Sequence, residues 1–251
     1  MPSASVLRVQ IEHTLAGRFP SALTPAPRTV RECAAVGVAE IDRLLDGGLP
    51  VGAISEIIGP ASSGRTSLAL AFVAQRTNAG QVCAWVDVGD ALDPESAAAS
   101  GVNLRRLLWV RCRSEAARAK GKRLPRLGQA LRATDLLLNA RGFAAIVIDM
   151  GDLPPEQGRE ITLAAWYRFK QAAYESRTSL VVLGKAASAL AAAAVVLECS
   201  PCKLDGANRT VWNSHAFDVK LSREKAAGGS MRKPPASTWT AKSAWATGTK
   251  P

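Results

Sequence analysis

Apolar and polar positions along this chain fall into short blocks whose period keeps changing. Ala53 to Ile58 is a mostly apolar run that stops at Gly59. Gln81–Val88, Leu107–Arg111, Phe143–Asp149, Ser179–Gly184 and Val195–Glu198 are further compact apolar runs. Short continuous runs of this kind suit strands that are covered on both faces. Between them the spacing is helical. Val38, Ile41, Leu44 and Leu45 recur before Gly47-Gly48, and an apolar stretch runs from Ser67 to Ala74. Glu95–Ala99 reads as a short helix. Leu131, Leu137 and Leu138 mark a helix over Gln129–Ala140, and Trp166, Phe169 and Ala173 mark one over Ile161–Tyr174. At Phe217, Val219 and Leu221 the period becomes two against Asp218 and Lys220, which predicts a half-exposed strand.

Alternating strands and helices predict an α/β fold with a mostly parallel central sheet flanked by helices. Ser5–Leu15 reads as a short N-terminal helix, and the proline-bearing stretch Phe19–Arg31 as a linker. The expected organisation is therefore an N-terminal helix and linker over 1–31, a core over 32–225, and a tail over 226–251. Gly, Ser, Thr, Ala and Pro dominate that tail, which carries Arg232, Lys233, Lys242 and Lys250 but no acid. Such a composition predicts a disordered basic segment. Trp239 and Trp245 stand out in it, as tryptophan needs a surface that buries it. A short partner-binding motif and an inert tail are the two readings.

The stretch that organises the chain is Gly59-Pro-Ala-Ser62-Ser63-Gly64-Arg65-Thr66, placed between a predicted strand and a predicted helix. Strand, glycine-bounded loop and helix in that order make a phosphate-binding loop, spaced G-x-x-x-x-G-[KR]-[ST]. Gly59 and Gly64 let backbone N–H groups converge, and the helix N-terminus adds positive potential. The Thr66 hydroxyl is suited to a magnesium ion held by phosphates. Arg65 stands where a lysine is usual, and a planar guanidinium meets phosphate with different geometry from a compact ammonium. Ligands of parallel sheets bind beyond the carboxyl ends of the strands. The loop, the Gly89–Asp93 stretch and Asp149 all fall at such ends.

Charge and cysteine content extend the picture. The formal net charge is +11, which favours an anionic partner, nucleic acid being the commonest. Five cysteines without secreted-domain spacing suggest a cytoplasmic chain with reduced thiols. Cys199-Ser-Pro-Cys202 is a lone C-x-x-C and lacks a second pair of zinc ligands. No signal peptide is evident, and the longest apolar run, Ala186–Leu197, is too short to span a bilayer.

From Gly37 to Leu107 the sequence resembles the RecA recombinase family. The resemblance is carried by IDRLLDGGLPVGAISEIIGPASSGRTSLAL and WVDVGDALDPESAAASGVNLRRL, and more weakly by IVIDM, LVVLG and FDVKLSREK. It implies a RecA-type P-loop ATPase core, ATP with magnesium, and DNA as the polymer partner. By that resemblance Gly59, Ser62, Ser63, Gly64, Arg65, Thr66 and Ser67 would cradle phosphate. Asp149 would act on magnesium through water, and Asp93 would contact adenine. Arg223 and Lys225 would reach a neighbour's nucleotide. The departures are Arg65 for the loop lysine, Gly89 for the water-activating glutamate, Ser96 for an adenine-stacking tyrosine, and Gly184-Lys185 for an Asn-Gln phosphate sensor. The second DNA-binding loop is nearly absent, and the first is reduced to roughly 151–160. This pattern is similar to the ImuA-type accessory proteins of translesion mutagenesis, which implies a polymerase-like partner and RecA.

Loss of a general base alone lowers a rate by about 100- to 10,000-fold, so weak or absent ATPase activity is expected, and nucleotide binding is left open. Between the predicted strand at 107–111 and the next helix lies a basic stretch with Arg105, Arg106, Arg111, Arg113, Arg118, Lys120, Lys122, Arg123 and Arg126. It suits sequence-independent, salt-dependent contact with DNA phosphates, the alternative being a solvated loop. Three functions compete: a RecA-like DNA-repair adaptor of the SOS response, a DNA-dependent ATPase recombinase, and a switch that binds ATP without cleaving it. Self-association by RecA-style packing of the N-terminal helix is a further possibility.

Overall fold

A computed structural model of the chain describes residues 5–7, 9–10, 32–112, 125–201, 214–224 and 236–242. The chain divides into two compact units. One comprises 1–31 and 225–232, of which the described residues 5–7 and 9–10 are helical. The other, 32–224 with 233–251, holds everything described below.

Its strands are β1 (Cys33–Ala34), β2 (Leu49–Pro50), β3 (Ile54–Ile58), β4 (Val82–Asp87), β5 (Leu107–Arg111), β6 (Phe143–Asp149), β7 (Ser179–Gly184), β8 (Ala193–Pro201), β9 (Ser214–Glu224) and β10 (Ala236–Lys242). Its helices are α1 (Ala39–Leu44), α2 (Arg65–Asn78), α3 (Pro94–Ala99), α4 (Arg126–Ala140), α5 (Pro155–Arg159) and α6 (Leu163–Ser176). Strands β1 and β2 form a small antiparallel pair. The main sheet runs β10-β9-β8-β3-β7-β6-β4-β5. The six strands from β8 to β5 are mutually parallel, and β9 and β10 add an antiparallel flank.

The apolar runs form central strands because both of their faces find helices. Ile57, Trp85, Val147 and Leu183 pack on one side with Leu68, Phe72 and Val73 of α2. Ile54, Val86, Ile148 and Val182 pack on the other with Leu138 of α4 and Trp166 and Phe169 of α6. Each large apolar side chain fully buried in this way contributes about 1.5–3 kcal/mol. The carboxyl ends of β4 and β6 are thereby fixed side by side, with Asp87 directly paired to Asp149, and β3 ends in the same row one strand further on, beyond β7.

The tail departs from expectation. Residues 236–242, which composition assigned to disorder, pair with β9 from Ala236↔Lys220 to Lys242↔Ser214. Trp239 supplies the apolar contact that composition underrates. It is 6% exposed and lies 5.3 Å, centroid to centroid, from the Phe217 ring. Trp239 is thus a core residue and not a free partner-binding side chain. Trp245 and the rest of the tail lie outside the described residues.

Candidate functional site

The glycine-bounded loop leaves β3 at Gly59, whose N–H donates to the Gly184 carbonyl at 3.1 Å. Ser62 takes a φ of 60° and Gly64 one of 83°. Glycine is required at 64 twice over. Its φ is left-handed, and a Cβ there would meet the Phe217 ring at 2.6 Å. Thr66 is exposed in the first turn of α2, and Ser67 behind it is half-buried. Ser63 is fully buried, and its hydroxyl has no hydrogen-bond partner. Cys199, on β8, is buried behind the loop, and burial pushes its thiol up to about 12. Cys83 on β4 is pushed up to about 12 for the same reason.

Arg65 does not point outward. It is 8% exposed, with Nη1 donating to the Gly59 carbonyl and Nη2 to the Gly151 carbonyl at 2.9 Å, while Nε has no partner. The guanidinium therefore lies inside the loop's own concavity. Asp149, at the end of β6, accepts from the Gly151 N–H at 2.9 Å. Burial is the largest influence on its carboxyl, and Asp87 and Asp152 push the same way. Against the Gly151 hydrogen bond and Arg65, they raise it from 3.8 to about 6. Asp87 is fully buried and is occupied in holding the β4 exit. It accepts from the N–H groups of Ala91 and Leu92 and from Trp109 Nε1 at 3.2 Å. Arg111 pairs with Asp90 through two hydrogen bonds of 2.5 and 2.8 Å and stacks over Trp109.

Arg65, Thr66, Asp87, Gly89, Asp93, Asp149 and Asp152 line one cavity of about 230 Å³. Of the sequence-derived set, Arg65, Thr66, Asp93 and Asp149 are therefore gathered in one place, although Asp93 is committed locally. Its exposed carboxylate caps α3, accepting from the N–H groups of Glu95 and Ser96 and from the Ser96 hydroxyl at 2.5 Å. Those bonds, the Ser96 hydroxyl foremost, hold its pKa below the usual carboxylate value. Asp152 is the residue that sequence reasoning missed. A Cβ at Gly89 would lie 2.7 Å from Asp152 Oδ2, so a carboxylate from the β6 side occupies the space that a side chain at 89 would enter. A glycine facing an acid three residues beyond Asp149 was the available signal, but it has meaning only once β4 and β6 are known to be neighbours.

The donor set fits a phosphate-bearing ligand. The buried, unpartnered Ser63 hydroxyl and Arg65 Nε leave hydrogen-bonding capacity in the loop. Among the described residues, no three or more His, Cys, Asp and Glu side chains are arranged to hold a metal by themselves. An ion at Thr66 and Asp149 would therefore need oxygens from a ligand.

Of the predicted DNA-contacting residues, Arg105 and Arg106 are exposed on a 3-10 turn at Leu104–Arg106, where Arg106 donates to the Gly80 carbonyl at 2.5 Å. Arg126 opens α4 and is half-buried. Arg113, Arg118, Lys120, Lys122, Arg123 and Lys225 lie outside the described residues, and Arg223 is on β9. The connection between β7 and β8 is short and fixed. Ser188 and Ala189 donate their N–H groups to the fully buried Glu56 Oε1 at 2.7 and 2.9 Å, and the Ser188 hydroxyl joins them at 3.2 Å. No described helix is long and apolar enough to cross a membrane.

A family model for the RecA N-terminal domain matches residues 26–160. Protein RecA of Pseudomonas fluorescens strain Pf-5 is 43% identical over 104 residues, which is 41% of this chain and 26% of that protein. Protein RecA of Crocosphaera subtropica is 37% identical over 141 residues, which is 56% of this chain and 37% of that protein. The chain thus spans between 26% and 37% of the length of these curated relatives. As the match to the family model takes in more than half of the sequence, this chain belongs to the RecA N-terminal domain family.

Proposed function

We propose that the protein is a RecA-like accessory factor of DNA repair and the SOS response. In this reading it binds DNA through basic surface and recruits a translesion polymerase-like protein and RecA, and it turns over little or no ATP. The observation that carries the proposal is the β7–β8 connection pinned on Glu56. A long mobile loop has no place between Gly184 and Ala193 when Ser188 and Ala189 are tied to the strand beside them. Strand exchange needs DNA held by mobile segments of that kind, so the core suits holding and recruiting better than recombining. Arg105, Arg106 and Arg126, with the basic residues from 113 to 123, supply the phosphate contacts. Filament formation on single-stranded DNA with ATP, followed by a strand-exchange assay, tests the proposal. Neither activity is expected, while salt-sensitive DNA binding is. Efficient exchange by the purified chain sinks it.

A second reading is a Mg-ATP-binding switch, supported by the unpartnered Ser63 hydroxyl in the glycine loop and by Thr66 and Asp149 lining one cavity. The backbone from Ser62 to Ser67 would hold the phosphates, Thr66 and Asp149 the magnesium, and the wall at Asp93 and Ser96 the base. A bound Mg-nucleotide would supply electrophilic phosphorus and charge neutralisation. This chain's residues would bind and orient it, since position 89 offers no carboxylate to activate water. Thermal stabilisation by Mg-ATP without product release is the expected result.

A further inference from the structure

The turn after β6 carries a contact that phosphate binding does not require. Arg65 ties the first residue of the phosphate loop to the residue two past Asp149, through the carbonyls of Gly59 and Gly151. Gly151 is not among the left-handed glycines, so its backbone does not need glycine. The space does. A Cβ there would lie 2.7 Å from Arg65 Nη2 and 3.0 Å from Asp149 Oδ1. Residue 151 is therefore small because the guanidinium sits against it.

That guanidinium is 8% exposed and still has an unused donor at Nε, and the fully buried Ser63 hydroxyl in the same loop is also unpartnered. A planar cation with a spare donor, held on the carbonyls of Gly59 and Gly151 within a glycine loop, is an anion partner already in place. Carbonyl oxygens are neutral partners for it, and phosphate oxygens are charged ones that make stronger and shorter bonds. A polyphosphate therefore competes for the guanidinium with the Gly151 carbonyl.

We propose that Arg65 is a latch: its guanidinium closes the phosphate loop onto the turn at 150–153, and a polyphosphate enters the loop only by drawing that guanidinium off Gly151. The proposal rests on the second reading of the site, that the loop accepts such a ligand. Phosphate occupancy is then reported directly to the connection that follows. The turn is otherwise held by the Met150 N–H on the Leu183 carbonyl at 3.0 Å, the Gly151 N–H on Asp149 Oδ1, the Leu153 N–H on the Met150 carbonyl at 3.0 Å, and Lys185 Nζ on the Asp152 carbonyl at 3.5 Å. It leads straight into Pro154 and α5. Releasing Gly151 loosens the entry to that segment while β6 stays in the sheet.

Hydrogen exchange on the full chain, with and without Mg-ATP or magnesium pyrophosphate, tests the latch. Either ligand is expected to slow exchange over 59–66 and to speed it over 150–154 by about tenfold or more, the size of a lost charged hydrogen bond. Arg65→Ala is expected to show the fast 150–154 exchange without ligand. Gly151→Ala, which keeps the guanidinium but blocks its seat, is expected to do the same. Protection of 59–66 with 150–154 unchanged or slowed overturns the latch alone. So do the two variants if both leave 150–154 as in the wild type. No protection of 59–66 in the wild type or either variant removes the polyphosphate reading and the latch with it.

Discussion

Asp149→Asn isolates what it costs this fold to keep an ionised carboxylate at the end of β6. The Asp149 carboxyl is raised from 3.8 to about 6, chiefly by burial. A carboxyl raised in the folded state binds its proton more tightly there than in the unfolded chain. Between those two values the native state therefore holds more protons, and stability falls as pH rises. The full penalty is about 3 kcal/mol once pH is well above 6, and about half of that is already present at about pH 5. Asparagine keeps an oxygen for the Gly151 N–H and carries no charge. The variant should therefore gain on the wild type by about 1.4 kcal/mol between about pH 5 and about pH 8. Urea unfolding at the two pH values, followed by tryptophan fluorescence, measures this. Taking the difference of differences cancels any pH-independent cost of the amide. A gap between variant and wild type that stays flat, or that narrows as pH rises, would refute the burial argument.

Gly64→Ala puts a methyl group into the Phe217 ring at a left-handed φ and should lose about 2–4 kcal/mol in the same unfolding assay. Trp239→Ala removes a buried side chain from β10 and should cost about 3–5 kcal/mol; a loss within experimental error would mean that the strand is not part of the cooperative fold. Replacing the exposed pair Arg105 and Arg106 with alanine should weaken single-stranded DNA binding and lower the slope of log affinity against log salt by about 1.4. An unchanged slope would show that those side chains do not face phosphate.

The parallel core was legible because the runs at 54–58, 143–149 and 179–184 are largely buried on both faces, and no polar alternation obscures their bounds, whereas 107–111 is a half-exposed edge strand. The position of the tight loop after β3 was legible from its glycines. Two kinds of information were not. Strand β10 reads ASTWTAK, in which one tryptophan carries the burial, and local composition gives no sign that Phe217 lies opposite. The site's rearrangement was hidden for a different reason. The Gly89–Asp152 and Arg65–Gly151 relations join residues that follow different strands, and they exist only because β4 and β6 end as neighbours and β3 ends in the same row beyond β7. The sequence could identify a missing side chain at 89. It could not identify which other side chain occupies the space.

Cys83 and Cys199, with thiols pushed up to about 12, are also clocks. An ordinary thiol near 9 has about a thousandfold more thiolate at neutral pH, and the thiolate is the reactive form. An alkylating reagent will therefore modify these two sites only in molecules whose sheet has opened. Their labelling rates count how often β4 and β8 come apart, one at the amino end of β4 and one behind the glycine loop. Exposed Cys33 provides the fast internal reference in the same digest.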